Sequence, residues 1–585
     1  MASTTALFTG LSGLNAHARK IDVIGNNIAN VSTTAYKSAR LVFSDMLSKN
    51  LDQGQPPGES SGGTNPAQIG LGVSIAGTQR DFTPGTVSAT GNPRDMAIDG
   101  NGFFAVLRGD EQFYTRAGEF VFDENNDLVT LEGDRLLGLA ADENFAIQPG
   151  ALSAINIPIG ELTIAEATTR VRMAGNLNAD GDIAQSGTTI RLGGTDTSGL
   201  SLIAGATVPP AAGNVLEGAS LLTEIEDPDD PGSGTPLFAD GQILELNGAR
   251  KGGGTLPTAQ LAIDLATTVQ DLMDFLAGAL GIQATVAANP DGNTPGVTLD
   301  PTTGELTVVG NTGTASAIEL ENADLRLLDS DGTLAGIPLL ATTTGEASGE
   351  SVRTGFVVFD SLGAPVEVEL TMTLVGKGDT GTTWRYDIES ADDSDVDLGI
   401  ATGELEFDPF GRLAAGGPVG VTIDREGTGA VSPLAFDLTF AESGDEVTAL
   451  ADTGSQLAAV FRDGAAIGVL EDFSVARDGT VFGSFSNTLI KPLAQLQLAT
   501  FTNPAGVEDL GNNLYRPTGN SGQPVVVSPG EFGAGSIVGG ALELSNVDLG
   551  REFIELILTS TGYSASSRVI RTTDELMQEL LTLGR

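Results

Sequence analysis

Residues 6–43 read ALFTGLSGLNAHARKIDVIGNNIANVSTTAYKSARLVF. Leu7, Leu14, Ile21 and Ile28 fall seven apart, and Leu11, Ala18 and Gly25 follow the first three of them by four. That spacing is a heptad, with large apolar residues on one line and small ones on the other, and it predicts a helix with one narrow apolar seam. The far end of the chain, residues 549–583, repeats the pattern. Leu549, Leu556, Tyr563, Ile570 and Met577 fall seven apart, and Phe553, Ser560, Ser567, Asp574 and Leu581 form the companion line. Helices of roughly 35 to 40 residues reach roughly 50 to 60 Å. Neither can bury its seam on its own surface, so each end is predicted to pack on the other. Gly25, Ser560, Ser567 and Asp574 are poor core fillers; small residues permit close approach, and polar seam residues fix register at some cost in stability. The pattern leaves two readings: a two-helix stalk within one monomer, or a seam completed by neighbouring copies. In the second, the self-assembly residues are Leu7, Leu11, Leu14, Ile21 and Ile28 with Leu549, Phe553, Leu556, Tyr563, Ile570, Met577 and Leu581.

Between these ends the composition changes character. The 585 residues hold 78 Gly and 26 Pro but only 5% aromatic residues, which predicts several domains of short strands joined by turns. The formal net charge is −48, so nucleic acid and anionic membranes are not expected partners. Cysteine is absent, so no disulfide or thiolate metal site can form. No run is long and apolar enough to span a membrane. The N-terminus lacks a basic start leading into an apolar core and a small-residue cleavage site, so a cleaved secretory signal is not expected.

Residues 49–72, rich in Pro, Gly and Ser, read as a connector. From Val73 the period becomes two: VSIAGTQRDF, DMAIDG, GFFAVL and QFYTRAGEFVF read as successive strands. Far downstream, TTVQDLMDFLAGALG at 267–281 predicts one helix, with Thr268 and Asp271 as a capping box and Gly281 as its stop. Strand-like runs flank it, which suggests an α+β module.

Candidate chemistry is thin. His17 is the only histidine, and it lies beside the seam on an extended helix rather than in a cleft, so a catalytic dyad is not expected. Gly100, Gly102 and Ala105 match a dinucleotide fingerprint, but the segment continues as a strand, so Asn101–Gly102 is read as a hairpin turn. Asp123, Asn125 and Asp127 have the alternate spacing of a calcium loop without its Gly and distal Glu, and Asp227–Asp230 and Asp329 with Asp331 are similar acidic turns. No catalytic residue, cofactor or metal ligand is assigned, and the chain is not expected to be an enzyme.

Residues 12–37, SGLNAHARKIDVIGNNIANVSTTAYK, resemble the N-terminal signature of the bacterial flagellar rod and hook protein family. Residues 540–557, GALELSNVDLGREFIELI, and 563–583, YSASSRVIRTTDELMQELLTL, resemble its C-terminal signature. Ala35 stands where the family usually has Gly, and Ser560 and Thr561 where it usually has Gln-Arg. Residues 91–106 and 113–129, with 472–487 and 496–515, are similar to the two halves of the family's first β-domain. Residues 170–179, 351–375 and 403–414 are similar to the second, hook-type domain.

The resemblance implies a multi-domain, mainly β fold with paired, coiled-coil-like terminal helices, nested β-rich domains and one α+β insertion. The expected division is a terminal helical domain at 1–47 and 541–585, a connector at 48–72, a first β-domain at 73–150 and 471–540, a second at 151–186 and 348–470, and the insertion at 187–347. It implies a structural subunit of the hook that self-assembles into a curved, flexible tube transmitting torque from rod to filament. The implied partners are further copies of the chain, the distal rod protein, the hook cap protein, the hook–filament junction proteins and the flagellar type III export apparatus. The implied location is the extracellular flagellum. A distal rod protein with an insertion, or a secreted β-rich adhesin, stays open at this point.

Overall fold

The computed structural model describes residues 2–583 apart from 60, 195–198, 205, 207–214, 443, 444 and 452. The fold is mainly β, with α1 (Ala2–Ala29) and α3 (Leu549–Leu583) at its ends and α2 (Val269–Ala279) far from both in sequence. The chain forms two compact units, one of residues 1–163 with 469–585 and the other of 164–468.

In the first unit α1 stops at Ala29, short of the expected residue 43. Asparagine side chains end it. Asn27 donates its amide N–H to the Ala39 carbonyl (2.8 Å) and accepts the Ala39 N–H (3.0 Å). Asn30 folds back onto the Asn26 carbonyl (2.9 Å). Such bonds offer the backbone an alternative to the helix ladder. Ala35 then takes φ +54° while buried, in the left-handed region where glycine is at ease. The chain leaves as the strand Ala39–Asp45, antiparallel to Val73–Arg80. The stretch expected as a connector holds a second short ladder, Ser48–Asp52 with Ala67–Gly70.

The main sheet of this unit interleaves distant parts of the chain. Phe103–Arg108 pairs with Glu111–Thr115, Arg135–Ala140 and Leu498–Thr500; Arg135–Ala140 also pairs with Ile490–Leu496. Met96–Asp99 pairs with Ser536–Gly539, and Val87–Ala89 with Ala541–Glu543. Phe82, Phe103, Tyr114, Phe501 and Tyr515 meet edge to face at centroid distances of 5.1 to 5.6 Å, the favoured geometry for aromatic pairs.

Beneath the helices lies a buried ion triad. Glu543 Oε1 accepts Lys37 Nζ at 2.6 Å and the Gly85 N–H at 2.8 Å, and Oε2 accepts Arg116 Nε at 3.0 Å. All three side chains are at most 1% exposed. Burial, with the Arg116 charge beside it, holds the Lys37 ammonium below the usual lysine range despite the carboxylate.

The second unit contains an antiparallel sheet of Ser351–Phe359, Pro365–Gly378, Gly381–Glu389, Gly399–Phe407 and Leu413–Ala415, in that order. A second sheet is built around Arg170–Asn178. They share a core of Val171, Met173, Val358, Leu370, Trp384 and Phe436. Residues 187–345 carry two further four-stranded sheets and α2 around a core that also takes in Leu398. Helix α2 has the expected capping box of Thr268 and Asp271, and Gly281 beyond its end takes φ +60°. Val269, Leu272 and Leu276 are fully buried. The segment leaves and returns at one point, where Ser186 N–H donates to Ser348 Oγ (3.1 Å) and Ser348 N–H to the Ser186 carbonyl (3.0 Å).

Replacing Glu543 by Gln leaves two buried cations without their counter-charge. That should lower the stability of the first unit by about 3 to 5 kcal/mol. Urea denaturation followed by near-ultraviolet circular dichroism checks it, with Arg40→Gln, an exposed control, shifting little.

Candidate assembly surface

Helices α1 and α3 run antiparallel. A Cβ added to Gly10 would lie 2.9 Å from Ile570, one added to Gly13 2.9 Å from Ser566, and one added to Gly562 2.7 Å from the His17 ring. Further along, Lys20 Nζ pairs with Glu555 at 2.6 Å, and Asn27 donates to Glu552 at 3.2 Å. The line of α1 that meets α3 is therefore Gly10, Gly13, His17, Lys20, Ile24 and Asn27, alternating steps of three and four. Its counterpart includes Glu552, Glu555, Thr559, Gly562, Ser566, Ile570 and Thr573. Glycines, hydroxyls and charges dominate this seam. Close approach is gained where side chains are missing, and little apolar surface is covered.

The residues expected to self-assemble lie mostly beside that line. Leu7, Leu14, Ile21 and Ile28 are half-buried on α1, and Leu11 is exposed. On α3, Leu556, Ile570 and Met577 are half-buried, while Leu549, Phe553, Tyr563 and Leu581 are exposed. The structure brings Ile570 into the notch over Gly10 and leaves the others as flanks or open surface. Sequence periodicity passed over Ile554, Ile557 and Leu558, because they fall on neither chosen line. With Phe553 they form a stripe on α3 that is 51 to 66% exposed. Phe8 of α1 is also exposed. Each such side chain gives up roughly 1.5 to 3 kcal/mol while it stays in water. A long exposed apolar stripe of this kind marks an interaction surface.

The remaining candidates are used locally. The His17 ring meets Phe43 edge-on at 5.9 Å and fills the notch of Gly562, with Nδ1 buried and unbonded. Asn101–Gly102 does not close a hairpin. The strands on either side pair with different partners, and the Gly100 and Gly102 carbonyls both accept from Arg116. Asp123 Oδ1 accepts the N–H groups of Asn125 and Asp127, and Asp127 pairs with Arg135 at 3.2 Å. Those hydrogen bonds hold the Asp123 carboxyl below the ordinary range. Asp227 and Asp331 likewise accept N–H groups within their own turns.

The ends that build this surface are also where family likeness lies. Residues 7–37 match the family model described as flagella basal body rod protein, and residues 538–583 match flagellar basal body rod FlgEFG protein C-terminal. Residues 97–185 match flagellar hook protein FlgE/F/G D1 domain. Over these stretches the chain is similar to flagellar hook and rod proteins. It is 28% identical over 592 residues to flagellar hook protein FlgE of Treponema pallidum, covering 99% of each chain. It is 26% identical over 593 residues to that of Borreliella burgdorferi, again covering 99% of each. A crystal structure of Helicobacter pylori flagellar hook protein FlgE2 aligns with 79% of this chain and 100% of its own, at 18% identity and a TM-score of 0.38.

The Gly562 notch admits a direct check. Gly562→Ala improves intrinsic helix propensity by about 1 kcal/mol yet drives a methyl into the His17 ring. Overpacking should win by about 1 to 2 kcal/mol. Thermal melting of assembled material should therefore fall for Gly562→Ala and recover when His17→Ala is added.

Proposed function

We propose that this chain is the structural subunit of the flagellar hook, and that it works by self-assembly rather than by catalysis. The observation that carries this reading is the apolar stripe of α3, left open by a helix pair whose mutual seam is small and polar, in a chain similar to flagellar hook and rod proteins. A surface of that kind on every copy favours heterologous contacts that repeat without closing into a ring, which generates a tube. The terminal helices would line the inner tube and the β-rich units would form outer shells. A tube that bends while transmitting torque needs shells that slide over an inner layer that holds.

Relatives aligned end to end with this chain carry the name hook protein, so a distal rod role or an adhesin role is not favoured. The finer partners follow from that role: the distal rod protein below, the hook cap protein during growth, the hook–filament junction proteins above, and the flagellar type III export apparatus that would deliver the chain without a cleaved leader. The site of action would be the extracellular flagellum. Residues 187–347, which leave and return at one point, would form an outer module that adjusts bending.

Removing residues 1–40 or 546–585 should abolish polymerisation. The full chain should form short curved tubes under electron microscopy, and either truncated chain should sediment as monomer with its β-sheet circular dichroism retained. Tubes formed by a truncated chain would contradict the role given to the ends.

A further inference from the structure

Residues 187–345 join the rest of the second unit by more than the crossing at Ser186 and Ser348. Leu398, just before the strand Gly399–Phe407, is buried in the core built around α2. Its N–H donates to the Gly278 carbonyl in the last turn of α2 at 3.3 Å. Ala315 N–H donates to Ser351 Oγ at 2.7 Å, and the Arg385 guanidinium donates to the Thr312 carbonyl at 3.3 Å. At the centre of this joint lies a second buried charge cluster. Lys251 Nζ, from the strand Arg250–Lys251, reaches both Glu389 of the five-stranded sheet and the Gly281 carbonyl just past α2. The Lys251 and Glu389 side chains are 2% and 4% exposed. A Cβ added to Gly281 would lie 3.2 Å from Lys251 Nζ and 3.2 Å from Glu389 Oε1, so the end of the helix sits directly on the pair.

Neither side balances these charges alone. In the sheet, Glu369 and Glu389 stand directly opposite each other on neighbouring strands, and like charges so placed destabilise a sheet. Arg353 pairs with Glu369 and lies 3.6 Å from Glu389, which gives two carboxylates one guanidinium. Burial holds the Arg353 guanidinium below the usual arginine range, against the pull of Glu389. Lys251 supplies the second cation, and Arg353 Nη1 donates to the Lys251 carbonyl at 2.7 Å. From the other side, the carboxylate that pairs with the buried Lys251 ammonium comes from the sheet and not from residues 187–345. The carbonyl end of α2 favours a cation, but its partial charge does not replace a carboxylate. A buried ion parted from its partner is costly, so each side needs the other.

We propose that Lys251, Arg353, Glu369 and Glu389 form an ion lock that makes residues 187–345 and the five-stranded sheet fold and move as one body. The segment is then no free-standing decoration hung on the crossing at 186 and 348. Leu398 completes its core, and Glu389 neutralises its buried lysine. On the reading of the chain as a polymer subunit, a load on this segment passes through the lock into the sheet, and bending is taken up elsewhere.

The chain has one tryptophan, Trp384, fully buried in the sheet, so in the full-length monomer its fluorescence reports the sheet while hydrogen exchange at Leu272 to Leu276 reports α2. In the native chain both signals should be lost at one urea concentration. Glu389→Gln strands the Lys251 charge and should lower the α2 midpoint by about 1 to 2 M urea. Adding Lys251→Met removes the stranded charge and should return most of that shift. Arg191→Gln, which opens a more exposed ion pair within the same segment, should change little. Loss of α2 protection ahead of the Trp384 change in the native chain, an unmoved α2 midpoint in Glu389→Gln, or no recovery in the double variant would overturn the lock. These results are read on monomer and leave the hook reading standing. A native chain that forms no polymer would overturn the hook reading and leave the lock standing.

Discussion

One carboxylate, Glu543, takes the ammonium of Lys37 on one oxygen and the guanidinium of Arg116 on the other, in a site closed to water. The three residues lie in the exit from α1, just after the strand Glu111–Thr115 of the main sheet, and in the strand Ala541–Glu543 that precedes α3. Any one of these charges buried alone would be costly, so the three segments must come together as a set. The Glu543 carbonyl also accepts the Ala35 N–H at 2.8 Å, which pins the turn after α1 to the strand before α3. The roots of both helices are thereby fixed by the β-rich unit, before any contact along the helices is made.

That anchoring frees the helices from stabilising one another strongly. Their shared seam uses Gly10, Gly13 and Gly562 as notches and Thr559, Ser566 and Thr573 as fillers. Such a seam sets register and direction but covers little apolar area. The large side chains of α3, Phe553, Ile554, Ile557 and Leu558, look outward instead. Ordering the backbone costs roughly 1 to 2 kcal/mol per residue, and a helix pair with this seam recovers little of it alone. On the proposed reading, the energy that completes the helices comes from neighbouring copies. On that reading, assembly and helix order are one event. The acidic composition keeps copies apart by charge repulsion.

The sequence shows some of this directly and hides the rest for identifiable reasons. The heptads at residues 7–28 and 549–581 reveal two terminal helices, because large apolar residues at fixed spacing are conspicuous. The alternation from Val73 onward reveals the β-rich middle, and Thr268 with Asp271 reveals α2. The facing line of α1 is concealed, because glycines, a histidine, a lysine and an asparagine carry no hydrophobic signal. The end of α1 is concealed because Asn27 and Asn30 act through hydrogen bonds to backbone, not through composition. The ladder in residues 48–70 lies in a stretch whose Gly and Pro content reads as a connector. The Glu543 triad joins residues hundreds of positions apart, and no local pattern can pair them. Ala35 is a middle case: its departure from the family's glycine coincides with a backbone that adopts φ +54°.

Hydrogen exchange of the same chain, as monomer and as assembled tube, tests the central claim most directly. In the monomer, amides of α1 and α3 should exchange freely while those near Phe103, Tyr515 and Glu543 stay protected. In the tube, amides around Ile554 to Leu558 should become protected. Strong protection of α1 and α3 already in the monomer would contradict the claim, since one chain alone would then complete its own helices.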